Sequence, residues 1–135
     1  VIAEFNAVKS KLSAVPILSG HVFTPDDEEQ ARGTYLLVFP AGPESMDDER
    51  DQTMVTTTSG SDAEYSFNVR AVAPDVAGVG LIAEAVKSLV GTKVTVSGRR
   101  CDPITVVFDP VKKDNSVSPA LFFMDMWVEF WSRRG

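Results

Sequence analysis

Leu121-Phe-Phe-Met-Asp-Met-Trp-Val-Glu-Phe-Trp131 is apolar on both faces of a strand. Side chains alternate faces along an extended chain. Phe122, Met124, Met126, Val128 and Phe130 make one wholly apolar face. Leu121, Phe123, Trp127 and Trp131 make the other, interrupted by Asp125 and Glu129. These eleven positions hold five of the chain's twelve aromatic residues, so both faces seek cover. A small domain has one core, which takes one face. A neighbouring subunit is the natural cover for the second. The expectation is a chain that works within an assembly.

Upstream of this strand, Lys112–Pro119 reads as a turn or mobile loop, and Ile104–Val111 and Lys93–Ser97 read as strands. Before them Val76, Val79, Ala83, Val86 and Val90 recur at steps of three and four, which predicts a helix. Asp75 is its expected N-cap and Gly91 its stop. Asp62–Ala73 is the clearest strand: Tyr65, Phe67, Val69 and Ala71 alternate with Glu64, Ser66, Asn68 and Arg70. Met54–Thr58 is a further expected strand, joined to it by a hairpin near Gly60. Ala41–Gln52 is polar and acidic and reads as a loop; Thr34–Phe39 reads as a strand. At the start, Ile2, Phe5, Val8, Leu12 and Val15 mark one face of a helix ended by Pro16. The order is helix, three strands, helix, three strands. Strands joined by short turns predict an α+β fold: one domain over residues 1–135, an antiparallel sheet, and two helices packed on one face.

The chain has 135 residues, 44% of them hydrophobic, an ordinary globular composition for one domain. No stretch approaches the roughly 18 apolar residues of a membrane span, so no membrane partner is expected. Residues 1–15 read as an amphipathic helix rather than a signal peptide. Cys101 is the only cysteine, which fits a reducing compartment and a structural thiol. The net charge is −6, with acid concentrated at Asp26-Asp27-Glu28-Glu29 and from Glu44 through Asp47, Asp48, Glu49 and Asp51. Base is thinner, at Arg99-Arg100, Lys112-Lys113 and Arg133-Arg134. Without a basic stripe such a chain is a poor nucleic-acid binder.

The familiar chemistries fail on physical context. Gly78-Val-Gly80-Leu-Ile-Ala83 fits the dinucleotide fingerprint in letters. Its glycines fall inside the helix rather than in the turn before it, where backbone N–H groups would meet a pyrophosphate. They read instead as small residues where helix packs closely on sheet. Neither acidic cluster has the spacing of a calcium loop. One histidine, His21, and one cysteine leave little for acid–base or nucleophilic work. Asp125 and Glu129 share a face and read as ion-pair partners, between subunits or at a rim, with Arg70, Arg99, Arg133 and Arg134 as candidates. The expectation is no catalytic site, no metal and no cofactor.

Tyr65-Ser-Phe-Asn-Val-Arg-Ala-Val72 precedes a helix ending Ser88-Leu-Val-Gly91. Val94-Thr-Val-Ser-Gly-Arg99, Pro103-Ile104, Asp114 and Ser118-Pro-Ala-Leu-Phe-Phe-Met-Asp125 follow. This succession resembles the tail terminator, or tail completion and neck, proteins of long-tailed bacteriophages, over about Glu64–Arg134. The resemblance implies a homo-oligomeric ring, normally a hexamer, on the tail tube. It implies a virion position at the neck, after assembly in the host cytoplasm. It also implies two protein partners, the tail tube protein and the head–tail connector, with DNA passing through the lumen unbound. On that basis Leu121, Phe123, Asp125, Trp127, Glu129, Trp131, Arg133 and Arg134 are the expected subunit or tube interface. Asp26–Glu29 and Asp47, Asp48, Glu49 and Asp51 are the expected acidic lumen or rim. Two other classes stay open: another virion component, such as a head-completion, connector or minor tail protein, and a small α+β enzyme or ligand-binding domain. A deep pocket holding Asp125, Glu129 and an arginine would favour the last.

Overall fold

A computed structural model describes residues 2–26, 33–41, 45–46, 62–116 and 120–134. Among the described residues two α-helices, α1 (Ile2–Ser13) and α2 (Val76–Lys87), pack on one face of a sheet of eight strands, with a 3-10 turn at Pro16–Leu18. The strands are β1 (Val22–Phe23), β2 (Tyr35–Val38), β3 (Ser45–Met46), β4 (Ala63–Ala73), β5 (Arg99–Cys101), β6 (Thr105–Phe108), β7 (Lys112–Asp114) and β8 (Leu121–Arg134). The α+β class holds. The sheet is antiparallel except at one edge, where β1 and β2 run parallel.

The closing strand organises the sheet. β8 pairs with β4 from Ala63↔Ser132 to Ala73↔Phe122. Along its other edge it takes three short strands in turn, with β5 opposite Ser132–Arg134, β6 opposite Met126–Glu129, and β7 opposite Leu121–Phe123. β4 carries β2 and β3 on its far side, and β1 completes the opposite edge.

The register places Tyr65, Phe67, Val69, Ala71 and Ala73 beside Phe130, Val128, Met126, Met124 and Phe122 on the inner face. Phe5, Val8 and Leu12 from α1 and Val79, Ile82, Ala85 and Val86 from α2 close over them in one cluster. Phe67 sits at its centre, with ring centroids 5.5 Å from Tyr65 and 6.1 Å from both Phe5 and Phe130.

α2 begins as its sequence requires: Gly78 N–H donates to the Asp75 carboxylate at 2.7 Å. Gly91, at φ 85°, turns the chain out beyond its end. Gly78 also explains one half of the glycine pair. A Cβ there would lie 2.8 Å from that of Ala73 on β4, so the helix sits on the strand only because that position is bare. Gly80 has open space around it, and close packing does not account for it.

Several expected elements are corrected. Lys93–Ser97 is not a strand of the sheet. Val94 and Val96 do alternate inward, yet they join the core without ladder pairing; Ile104 N–H reaches Thr92 instead. Lys112–Asp114, expected in a loop, pairs with β8, and Ser45–Met46, expected in another loop, pairs with β4. Val76 and Val90 are exposed; the buried stripe of α2 runs through Val79, Ile82, Ala85 and Val86 to Leu89. Of the expected strand over residues 104–111, only Thr105–Phe108 forms, before Asp109-Pro110. β1 and β5 were not anticipated. The strand expected at Met54–Thr58 and the hairpin at Gly60 lie outside the described residues.

At the end of the sheet the inner face turns polar. Arg99 Nε donates to Ser132 Oγ at 3.0 Å and its Nη2 to the Ser132 carbonyl at 2.7 Å. Ser132 Oγ donates to the buried Glu4 at 3.1 Å. This relay ties the first helix to the last strand. Tyr65 lies beside it, and its phenol is pushed up to about 12, first by burial and then by the Glu4 negative charge, with Arg99 opposing. A phenol that titrates near 10 in the unfolded chain then favours folding below pH 10, and the contribution disappears as pH rises toward 12. About 2–3 kcal/mol should be lost over that range. Chemical denaturation of the Tyr65→Phe variant should show that much less alkaline sensitivity than the parent.

Candidate functional site

The strand alternation that fills the core leaves a second face across the sheet. Along β8 it carries Leu121, Phe123, Asp125, Trp127, Glu129, Trp131 and Arg133. The ladder sets Val72, Arg70, Asn68, Ser66 and Glu64 of β4 beside Phe123, Asp125, Trp127, Glu129 and Trp131. Tyr35 and Leu37 of β2 continue it on one side. Val107 of β6 continues it on the other, opposite Trp127. The eight expected interface residues therefore share one strand, and seven alternate onto this face. Arg134 has the other parity: its backbone pairs with Arg99, and its side chain lies outside the description.

Both arginines on this face are paired within the chain. Arg70 grips Asp125 through two hydrogen bonds, Nε to Oδ1 at 2.8 Å and Nη2 to Oδ2 at 3.2 Å. The same guanidinium lies 4.6 Å from the Phe123 ring centroid. Ser66 Oγ donates to Glu129 at 3.0 Å. Arg133 bonds Asp102 and Asp62 and stands 5.3 Å from the Trp131 ring centroid. The Arg133 guanidinium lowers the Asp102 carboxyl below its ordinary range. Asp125 thus pairs with Arg70 of its own chain, one of the partners expected for it. What remains to offer a partner is the half-buried apolar and aromatic surface of Phe123, Trp127 and Trp131.

A hollow of about 160 Å³ opens on this face between Tyr35, Leu37, Arg70, Val72, Leu121 and Phe123, with Asp114 at its side. Drug-sized ligands generally occupy roughly 300–1,000 Å³, and neither Asp125 nor Glu129 lines it. Among the described residues no group of three or more His, Cys, Asp or Glu side chains is placed to hold a metal ion. Cys101 is buried, and burial pushes its thiol up, away from the reactive thiolate. No helix among the described residues is long and apolar enough to cross a membrane.

Of the expected acidic residues, Asp26 is described: it is exposed and follows edge strand β1. Asp27, Glu28, Glu29, Asp47, Asp48, Glu49 and Asp51 lie outside the described residues. The sequence reading missed Tyr35, Leu37 and Val72 as parts of the outer face. Leu37 and Val72 are buried yet stand on the side away from the main cluster. Their strand parity was the available signal.

No protein-family model and no curated protein sequence matches the chain. Solved structures do share its fold. One is described as the virion of a native gene transfer agent particle. It aligns over 98% of this chain and 90% of its own, at 18% identity and a TM-score of 0.54. A second aligns over 99% of this chain and 93% of its own, at 14% identity and a TM-score of 0.55. The chain therefore has, from end to end, a fold that is also found in a virion particle.

Proposed function

We infer that this chain is a structural component of a phage-like virion, and within it the tail terminator: a ring that caps the tail tube, ends its polymerisation and joins the tail to the head connector. The observation that carries the reading is the likeness, over nearly the whole of both chains, to a gene transfer agent virion component. The outer sheet face supports it. Its arginines are paired with carboxylates of the same chain and its aromatic side chains are half-buried, which suits a protein contact rather than catalysis. The terminator assignment itself rests on the sequence resemblance over Glu64–Arg134. The face of Phe123, Trp127 and Trp131 is the contact with a virion neighbour, the tube or another subunit.

The acidic segments face the lumen or rim in this reading, where like charge keeps DNA from adhering. Neutralising Asp26–Glu29 together with Asp47, Asp48, Glu49 and Asp51 should raise DNA retention by the purified ring at low salt. Unchanged retention would remove that role from both segments.

Labelling the protein in intact particles tests the assignment. The label should fall at the head-proximal end of the tail. A label at the distal tip or along the shaft would replace the terminator with a minor tail component, the alternative still compatible with the fold.

A further inference from the structure

Lys93-Val-Thr-Val-Ser97 alternates as a strand does: Lys93, Thr95 and Ser97 are exposed, and Val94 and Val96 are buried. It is nevertheless no part of the sheet. Among the described residues, two of its backbone groups are bonded. The Val96 carbonyl accepts from the Arg99 N–H at 3.1 Å, and the Lys93 carbonyl accepts from Lys11 Nζ at 2.8 Å. In an extended chain the N–H and C=O of alternate residues point to the same side. The Thr92 carbonyl points to Ile104, whose N–H it accepts at 2.8 Å. Lys93 points the other way, to Lys11 on α1. Thr95 and the Ser97 N–H share the direction of Lys93, so their backbone groups turn toward α1.

Between the segment and α1 lies a groove of about 470 Å³. Its walls are Lys93, Thr95 and Ser97 on one side and the α1 stripe from Ala3 to Lys11 on the other. The two walls match in length. The extended segment covers about 13 Å, and the helix rises about 12 Å from Ala3 to Lys11. The lining carries Lys11 and Lys93 and, among the described residues, no carboxylate. Nearby acids are committed elsewhere. Glu4 is buried against the sheet, where it accepts from Ser132, and Asp102 is bound by Arg133. Lys9 is half-exposed on the same helix and adds to the positive field.

A line of unbonded donors and acceptors at strand spacing is what a peptide main chain satisfies, and flanking walls then select its side chains. We propose that this groove takes an extended acidic segment of another protein, which adds to Lys93–Ser97 as a strand and sets a carboxylate beside Lys11 and Lys93. The site lies on the helix-bearing side of the sheet, separate from the outer face of β8. It goes beyond the terminator reading and does not depend on it.

A library of heptapeptides blocked at both ends, with Val, Ile or Thr at alternate positions and every residue between, tests this on the purified chain. Selected peptides should be enriched in Asp and Glu; blocking removes the terminal charges, so the enrichment reads side-chain carboxylates. At saturation a selected peptide should slow amide exchange at Lys93 and Thr95 about tenfold or more. The indole signals of Trp127 and Trp131 should not move. Thr95→Pro removes the central donor at an exposed position whose N–H is unbonded within the described subunit, so the fold stays intact. It should raise the dissociation constant about tenfold. Lys11→Glu with Lys93→Glu should turn the selection from acidic to basic peptides. Circular dichroism checks each variant. Should one fail to fold, Ser10→Trp, which fills the groove from an exposed helix position, should abolish binding in its place. A library without binders, binders that lack acidic residues, or binders that neither Thr95→Pro nor Ser10→Trp weakens would overturn the proposal. Self-association of the parent that Thr95→Pro abolishes would overturn it too, by giving the groove to a second copy of this chain.

Discussion

Phe67→Ala should leave the chain at the edge of unfolding. Phe67 is fully buried and its ring touches three others, from α1, its own strand and β8. Truncating such a side chain generally costs about 3–5 kcal/mol, because the surrounding groups relax only partly into the space. Small domains have about 5–15 kcal/mol in all. Urea denaturation should show a midpoint far below that of the parent with a similar slope. A loss under about 1 kcal/mol would mean that α1 and the sheet are not joined through this ring.

Replacing both Trp127 and Trp131 with alanine should have the opposite signature: a folded subunit that no longer makes the virion contact proposed for this face. The two rings lie on the outer face, away from the core cluster. Interface tryptophans that anchor a contact generally cost about 2 kcal/mol or more when truncated, roughly a thirtyfold loss of affinity each. Binding of the purified variant to terminator-deficient tails should fall by at least that factor while its denaturation curve shifts little. Retained binding would show that the aromatic face covers nothing essential.

The parts of the fold legible in the sequence were those whose signal is local and repeated. Two-residue alternation over Ala63–Ala73 and over Leu121–Arg134 identified the central pair of strands. Asp75 and Gly91 bracketed the second helix. The parts that were not legible depend on partners. Lys112-Lys-Asp114 has poor strand propensity, yet a fourteen-residue β8 presents backbone groups that any adjacent segment can satisfy. Val94 and Val96 have good propensity and are used for burial instead. In α2 nearly every residue is apolar, so several stripes satisfy steps of three and four, and periodicity alone picked Val76 and Val90 over Ile82 and Leu89.

The candidate face was legible as a surplus of apolar side chains, because alternation assigns Phe123, Trp127 and Trp131 to the side opposite the core. Its electrostatics were not. Arg70 and Asp125 are 55 residues apart, and only the β4–β8 register brings them together. The relay from Arg99 through Ser132 to Glu4 likewise spans nearly the whole chain. Its one sequence trace is Ser132, a polar residue at an inward position of β8.

Deleting the gene for this chain tests the proposed terminator role most directly. Electron microscopy of the resulting lysate should show filled heads and separate tails, with tail lengths scattered beyond the normal value. Supplying the purified protein should restore joining only for tails of normal length. Joined particles with tails of normal length in its absence would contradict the terminator account.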